Sequence, residues 1–322
     1  MTTTTDPKLF YRTPMGSAYL GDSLKFVEKI DSESVDLILT SPPFALKRKK
    51  AYGNEDEDKY VDWFMSFAPH LHRILKPGGS FVLDLGGAYM PGFPVRSIYQ
   101  FELLVRLVRE TGFYLAQEFY HYNPARLPAP AEWVNVRRIR VKDSVNVVWW
   151  LSKSQYPKAD NRQVLKPYSE SMKGLLKNGY KAKLRPSGHD ISDKFNKDNG
   201  GAIPPNLLEL ANTDSNSLYQ KMCRDAGLKV HPARFPPGFA EFFIKFLTNE
   251  GDLVFDMFGG SNTTGYVAEM IGRRWLMSEL SKEYLEGSMF RFDSTTLECF
   301  VGPVTKQLGK KDDRSAYQET IA

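Results

Sequence analysis

The stretch LVFDMFGGSNTTGYVAE, residues 253–269, has the pattern of a buried strand, a glycine-rich turn and the start of a helix. Its first apolar residues lead to Asp256, and Gly259 and Gly260 follow at the expected turn. Because glycine has no side chain, the backbone can pass close to a ligand there. The stretch therefore predicts one strand–turn–helix unit of an α/β fold, with a ligand bound at the turn.

The polar residues after the glycines are suited to begin the helix. Asn262 stands where related turns often carry another glycine, and asparagine is among the few residues that tolerate a left-handed backbone. We expect Thr263 and Thr264 to cap the helix. The next apolar run ends at Glu279, which is well placed to bind the ribose hydroxyls of a nucleotide-like cofactor. A tight turn with a structural role alone is the alternative.

The rest of the chain alternates between short apolar runs and helical patterns. The predicted strands are 35–40, 80–85, 145–151, 252–258 and 274–280, and the predicted helices are 60–75, 96–110, 237–248 and 262–272. Strands and helices that take turns along a chain form a largely parallel sheet with helices on both faces. The predicted fold class is therefore α/β, with a doubly wound, mostly parallel, Rossmann-like sheet.

One region interrupts this alternation. Residues 152–228 are polar, rich in Lys, Asn, Gly and Pro, and lack a sustained hydrophobic period. An idle connection of this length is uncommon in a compact domain, so we predict an inserted, irregular functional module. The predicted division is a catalytic half at 1–151, the module at 152–228, a cofactor-binding half at 229–300 and a polar tail at 301–322.

The composition excludes several classes of protein. Of 322 residues, 42% are hydrophobic and 25% charged, and no apolar run approaches the roughly 18 residues of a membrane span. The N-terminus lacks a secretory pattern, which predicts a cytoplasmic protein without a membrane partner. Cys223 and Cys299 lack metal-ligand spacing, so neither disulfides nor a metal site is expected. The net charge of +5 includes basic runs at 47–50 and 137–142 that could neutralise phosphates or form solvated surface.

Two cofactor classes fit a glycine-rich turn. A nicotinamide dinucleotide favours G-x-G-x-x-G spacing, which seats a pyrophosphate, whereas this chain has F-G-G-S-N-T-T-G. S-adenosylmethionine carries no phosphate and can bind to a looser turn. Asp256, at the strand end, could attract its sulfonium and amino groups. The turn therefore favours S-adenosylmethionine.

The segment TSPPF, residues 40–44, directly follows a predicted strand and suits chemistry on a nucleobase amino group. Such a nitrogen is a poor nucleophile because its lone pair is delocalised into the ring. Ser41 Oγ and the Pro42 carbonyl could accept its N–H groups and turn the lone pair toward a methyl donor. Pro43 would stiffen this backbone, and Phe44 would stack on a base lifted out of a duplex. A plain Ser-Pro turn is the alternative.

Asp84 ends another predicted strand and precedes Gly86 and Gly87. It is equally suited to bind the target base or the cofactor's amino group and to cap a turn. His189 and Asp190 could perform acid–base chemistry, although hydrogen bonding within the inserted module is favoured.

These segments resemble DNA amino-methyltransferases. TSPPF is similar to their catalytic motif, and its serine resembles the cytosine-N4 group, whereas adenine-N6 enzymes more often carry Asp or Asn there. DMFGGSNTTG resembles the S-adenosylmethionine loop, and the order of catalytic motif, irregular module and cofactor loop resembles the permuted β group. Similarity to PvuII-type cytosine-N4 methyltransferases covers most of residues 16–292, through TSPPFALKRKK, DLGGAYM, EWVN, RIRVKD, RPSGHDI, KDNGGAIPPNLL and HPARFP.

The resemblance implies functions for individual residues. The catalytic set would be Ser41, Pro42, Pro43, Phe44 and Asp84. The cofactor set would be Asp22, His231, Asp256, Phe258, Gly259, Gly260, Ser261, Asn262, Thr263 and Glu279, with Asp22 at the adenine and His231 at the methionine end. The module at 152–228 would read double-stranded DNA, at a palindrome such as CAGCTG. A paired restriction endonuclease is the usual family partner, and the enzyme would be a monomer or weak dimer.

Other functions compete with cytosine-N4 methylation. Adenine-N6 methylation is the nearest alternative, because the same acceptors serve either amino group. Cytosine-C5 methylation is excluded, since that chemistry needs a thiolate in a Pro-Cys setting and neither cysteine follows a proline. A DNA-binding protein without turnover would not need Ser41 or the glycine turn. An RNA substrate fits the long module less well than a duplex does.

Overall fold

A computed structural model describes residues 6–43, 57–90, 92–179, 197–212 and 217–300. The predictions for Phe44, the basic run 47–50, His189 and Asp190 lie outside these residues. The described strands are β1 Lys8–Arg12, β2 Gly16–Leu20, β3 Val35–Thr40, β4 Leu75–Leu85, β5 Tyr114–Tyr122, β6 Val145–Ser152, β7 Leu207–Glu209, β8 Leu253–Asp256, β9 Arg274–Glu279 and β10 Glu298–Cys299. They form one sheet in the order β10-β1-β2-β9-β8-β3-β4-β6-β5-β7.

The centre of this sheet is parallel. Strands β2, β9, β8, β3 and β4 run in the same direction. Antiparallel strands extend it on both sides, β1 beside β2 and the pair β6 and β5 beyond β4. The five predicted strands are confirmed. Their continuous apolar runs are typical of strands that are covered on both faces. In β3, Leu37 and Leu39 point into one core and Ile38 into the other.

Helices cover both faces, which confirms the doubly wound architecture. They are α1 Ser23–Lys29, α2 Glu57–Met65, α3 Ala68–Ile74, α4 Tyr99–Thr111, α5 Glu170–Asn178, α6 Leu218–Asp225, α7 Pro237–Leu247, α8 Thr263–Met270 and α9 Lys282–Ser288. Helices α1 to α4 contribute to one core, which contains Phe64 and Leu103. Helices α7 to α9 contribute to the other, which contains Phe243 and Leu285. Within the described part of the chain, no helix combines the length and apolar character of a membrane crossing.

The prediction of a single helix over 60–75 is wrong. The chain forms α2 and α3 instead, with a turn at residues 66–67 between them. Pro69 lies in the first turn of α3. Proline lacks an N–H and its ring clashes with the carbonyl four residues earlier, so it is accommodated at a helix start rather than inside one.

Several short or polar elements had no predicted counterpart. The inserted region 152–228 contains α5, α6 and β7, and β7 extends the sheet by pairing parallel to β5. Strand β5, YLAQEFYHY, was missed because its first four residues are exposed and its sequence has no continuous apolar run. The division into two halves, module and tail stays a prediction.

Candidate active site

A cavity of about 660 Å³ lies at the carboxyl ends of the central strands. Side chains from the ends of neighbouring parallel strands meet there, as expected for an open α/β sheet. Ser41 follows β3, Asp84 lies near the end of β4, and Glu279 ends β9. The cavity wall contains almost every predicted site residue that the structure describes: Asp22, Ser41, Pro42, Pro43, Asp84, His231, Asp256, Phe258, Gly259, Gly260, Ser261, Thr263 and Glu279.

Asp256 joins the two sequence motifs. Thr40 Oγ1 donates a hydrogen bond to Asp256 Oδ1 over 2.7 Å, although the residues are 216 positions apart. Thr264 Oγ1 donates to Oδ2 at 2.7 Å, and the Phe258 N–H donates to Oδ1 at 3.1 Å. Burial raises the pKa of Asp256, and these three hydrogen bonds oppose the shift. Asp256 therefore fixes the glycine turn to β3, and both of its oxygens are already engaged by protein donors.

Asn262 caps helix α8. Its backbone is left-handed, with φ of 54° and ψ of 44°, as predicted for this position. Its Oδ1 accepts the Gly265 N–H at 3.0 Å, and its Nδ2 donates to the Tyr11 hydroxyl at 2.8 Å. The prediction that Thr263 and Thr264 cap this helix is wrong, because the Thr264 hydroxyl binds Asp256 instead. Asn262 is fully buried and lies outside the cavity wall, so its position does not support the predicted cofactor contact.

The two glycines of the turn lie against neighbouring side chains. A Cβ atom at Gly259 would displace the terminal methyl group of the Met277 side chain and lie 3.1 Å from its Cβ. Gly260 has φ of 51°, and a Cβ there would approach the His231 ring to 3.0 Å. His231 packs edge-on against Tyr284, with 4.5 Å between ring centroids. Burial lowers the pKa of His231 to about 4, so a neutral imidazole lies against the turn at neutral pH.

Two acidic residues flank this end of the cavity. Glu279 Oε2 accepts the Gly260 N–H at 2.9 Å, and Oε1 accepts the Ser281 N–H at 2.8 Å. Burial raises the pKa of Glu279 against these backbone bonds. Asp22 accepts the Lys25 N–H at 3.1 Å and caps α1. Because each carboxylate oxygen has two lone pairs, both residues keep acceptor capacity for ligand hydroxyl or amino groups.

Three aromatic rings form an apolar wall beside these acids. Phe258 lies 5.7 Å from Trp63 and 5.6 Å from Phe67 between ring centroids. All three line the cavity. Trp63 and Phe67 were missed in the sequence, where they are indistinguishable from core positions of an amphipathic helix. Flat apolar rings with carboxylates nearby fit an adenosine carrying an amino acid, and carboxylates disfavour phosphates. The residues present therefore fit S-adenosylmethionine.

The opposite end of the cavity is centred on Asp84. Its side chain is 3% exposed, and its Oδ1 has no hydrogen-bond partner among the described residues. Burial raises the pKa of Asp84, and four groups oppose the shift: charge interactions with His121 and Arg126 and hydrogen bonds from Asn146 and Ser41. Nothing in the described residues shows Asp84 capping a turn. An unpaired carboxylate oxygen in a cavity is instead suited to accept a ligand N–H.

His121 lies on the same wall, opposite Asn146 in the β5–β6 register. It is 7% exposed, and its Nε2 is 3.3 Å from the Leu210 carbonyl oxygen. A carbonyl only accepts, so Nε2 carries a hydrogen and donates it to Leu210. That Nδ1 is buried without a partner in the described chain. Arg126 Nη1 donates to Asn146 Oδ1 at 3.0 Å, which holds the amide in place.

Comparison with known proteins agrees with this geometry. A family model described as DNA methylase matches residues 35–290. The type II methyltransferase M.PvuII of Proteus hauseri is 56% identical over 285 residues, which cover 88% of this chain and 85% of that protein. The solved PvuII DNA methyltransferase (cytosine-N4-specific) matches with a TM-score of 0.72 and 49% identity, over 88% of each chain. A Thermus thermophilus protein crystallised with S-adenosyl-L-methionine shares the fold, with a TM-score of 0.52 and 19% identity over 84% of this chain and 90% of that one.

The predicted fold, cofactor and family resemblance are thereby confirmed. The family match begins at β3, which leads into Ser41, and ends after the glycine turn and Glu279, so it includes most of the cavity wall. The chain belongs to the DNA methylase family, in which it is a close relative of the PvuII cytosine-N4-specific methyltransferase.

Proposed function

We propose that this protein transfers a methyl group from S-adenosylmethionine to the exocyclic N4 of a cytosine in double-stranded DNA. The observation that carries the proposal is the unpaired Asp84 Oδ1 beside Ser41, in a cavity whose other end fits the cofactor. A buried polar atom without a partner costs about 1–3 kcal/mol. A flipped base would supply the missing donor through its amino group.

The groups at this end can activate that amino nitrogen. Ser41 Oγ and Asp84 Oδ1 would accept its two N–H groups, which turns the nitrogen lone pair away from the ring. S-adenosylmethionine, when bound, supplies an electrophilic methyl group. After transfer, one N–H bond breaks, its electron pair returns to N4, and the Asp84 carboxylate accepts the proton. Because burial raises the pKa of Asp84, its carboxylate takes a proton more readily than an exposed one.

The same wall supports cytosine as the base. Cytosine has two acceptors, N3 and O2, on the edge that carries its amino group, whereas adenine has only N1 on the corresponding edge. Arg126 is close enough to Asp84 for a charge interaction, and both Arg126 and Asn123 line the cavity and carry N–H donors. Donors opposite O2 would be unsatisfied by adenine, so they favour cytosine.

The proposal extends to the biological setting. Similarity to PvuII-type enzymes supports a palindromic target such as CAGCTG, read by residues 152–228, and a paired restriction endonuclease. Replacing residues 155–228 with those of a relative should move the target sequence, and an unchanged target would disprove that assignment. Methylation of one strand at a time fits a monomer or weak dimer that acts on DNA in the cytoplasm.

The direct test is to incubate the purified protein with unmethylated DNA and S-adenosylmethionine and to identify methylated nucleosides by mass spectrometry. We expect N4-methylcytosine. N6-methyladenine would refute the cytosine assignment while keeping the fold and cofactor, and no methylated base would refute the enzyme. The Ser41→Ala variant should retain cofactor binding and lose most turnover, and unchanged turnover would remove Ser41 from the mechanism.

A further inference from the structure

The loop between β5 and β6, residues 123–144, starts at the cavity wall and extends into solvent before it returns to β6. Asn123 and Arg126 line the cavity, and the next residue, Leu127, has 80% of its surface exposed. Val141, on the returning part of the loop, is 84% exposed. Burying one such side chain is worth about 1.5–3 kcal/mol, so exposed aliphatic groups at a cavity rim indicate a surface that becomes covered.

Hydrogen bonds hold Leu127 and Val141 in one region. Lys142 Nζ donates to the Pro124 carbonyl at 3.2 Å and to the Arg126 carbonyl at 3.3 Å. The residues beside Val141 and Leu127 are therefore tied together across the loop. At its base, the Asn123 N–H donates to the Ser144 carbonyl at 2.8 Å. The two aliphatic side chains thus project from a braced segment.

The remaining charges of the loop favour a polyanion. The loop carries five cations and two anions. Glu132 pairs with Arg137, and Asp143 pairs with Arg96 and Arg140. Arg138 is exposed and has no ion pair within the described residues, and Lys142 binds only carbonyl groups there. These two cations can therefore pair with phosphates.

We propose that this loop is the DNA-separating element of the enzyme, in which Leu127 and Val141 enter the base stack at the gap left by the extruded base while Arg138 and Lys142 bind flanking phosphates. The proposal rests on the proposed function and adds a binding surface to it. Apolar wedges beside cations are a known physical solution for unstacking a duplex. The rim position matters because the extruded base must pass from the gap into the adjoining cavity.

The test compares two duplexes of one target sequence, one fully paired and one with an abasic site opposite the target cytosine. In the second duplex the base is already unpaired, so it needs less help to leave the stack. We expect the Leu127→Ala, Val141→Ala double variant to methylate the paired duplex about tenfold more slowly than the wild type. On the abasic duplex the two rates should agree within about twofold.

The matched control is Met270→Ala, an exposed aliphatic residue at the end of α8 remote from the glycine turn. It should match the wild type on both duplexes. An unchanged rate of the double variant on the paired duplex, or an equal loss on both duplexes, would overturn the wedge. Failure of the wild type to methylate either duplex would instead overturn the proposed function.

The phosphate contact has its own readout. Removing one phosphate contact should reduce the slope of log affinity against log salt concentration by about 0.9. We expect this change for Arg138→Ala, measured by duplex binding without the cofactor. An unchanged slope would remove Arg138 from the DNA interface.

Discussion

The two ends of the cavity differ in how their polar groups are satisfied. At the glycine turn, Asp256 receives three hydrogen bonds from the protein, and Glu279 receives bonds at both oxygens. At the Asp84 end, Asp84 Oδ1 and His121 Nδ1 are buried without partners in the described residues. Both ends lie at the carboxyl edge of one sheet, so the fold alone does not explain the difference.

This difference indicates when the polar groups of each end acquire their hydrogen-bond partners. The glycine turn is assembled during folding, because its acidic groups hold the backbone in place before a ligand arrives. The Asp84 end leaves acceptors open and is completed by the substrate. Substitutions at the turn should therefore affect folding stability first, whereas those at the Asp84 end should affect turnover first. The following predictions test that separation.

The largest expected effect is on turnover in Asp84→Asn. The amide removes the carboxylate that accepts the amino proton, so kcat should fall by about 10²–10⁴-fold with cofactor affinity unchanged. The free energy of unfolding should change little. The matched control is Asp36→Asn, a buried carboxylate that accepts from Lys76 Nζ at 2.7 Å and the Leu253 N–H at 3.0 Å. It should lose stability and keep kcat, and the reverse pattern would contradict the separation.

The second effect is on stability in Asp256→Ala. Removing this carboxylate leaves the hydroxyl groups of Thr40 and Thr264 and the Phe258 N–H without their acceptor. We expect the free energy of unfolding to fall by about 3 kcal/mol in urea titrations. The cofactor dissociation constant should rise, while kcat at saturating cofactor stays within about threefold of the wild type. A large loss of kcat with unchanged stability would place Asp256 in the chemistry.

The sequence predicted the turn end of the cavity more completely than the Asp84 end. Short local sequence patterns specify the elements at this end. An apolar run marks each of the strands β8 and β9, a pair of glycines marks the turn, and Glu279 stands at the end of the second run. The helix cap was assigned wrongly because the sequence does not show that Thr264 donates to Asp256. Trp63 and Phe67 were missed because a cavity wall and a core use the same aromatic residues at helical spacing.

At the Asp84 end, the sequence indicated Asp84 and the segment from Ser41 to Phe44, of which the structure describes Ser41, Pro42 and Pro43. His121 and Asn146 reach the cavity through the antiparallel pairing of β5 with β6, in which they lie opposite each other, and Arg126 in the following loop donates to Asn146. Strand β5 has no continuous apolar run, so the pattern that would have placed His121 was absent. A buried polar residue positioned by long-range pairing leaves no local periodic signal.

A smaller effect is expected at His121, which we regard as a positioning residue for Asp84. Asparagine can place an acceptor near the Nδ1 position, whereas glutamine places its amide near the Nε2 position. If a polar group at the Nδ1 position holds Asp84 in place, His121→Gln should lower kcat about tenfold and His121→Asn less. The KM for DNA should change little in both. Equal loss in the two variants, or a similar loss in the distant control His72→Gln, would assign His121 a structural role alone.

The smallest effect concerns the pH dependence of stability through His231. Its folded pKa of about 4 lies below its usual value of 6.5 because burial disfavours the charged ring. Below pH 6.5 the unfolded chain therefore binds more protons, so the stability from this group is present above pH 6.5 and is lost as the pH falls toward 4. Between about pH 7.5 and 5.5 the expected loss is about 1 kcal/mol.

His231→Gln should remove this loss, as measured by urea unfolding of the cofactor-free protein at both pH values. Asp84, Asp256 and Glu279 have raised pKa values and act in the opposite direction, because they gain stability as the pH falls. The comparison is therefore made between variants, with His70→Gln on α3 as the control. Equal pH slopes in the wild type and His231→Gln would show that the turn end tolerates a charged imidazole. In that case its polar groups would be less fixed before ligand binding than the hydrogen bonds of Asp256 and Glu279 imply.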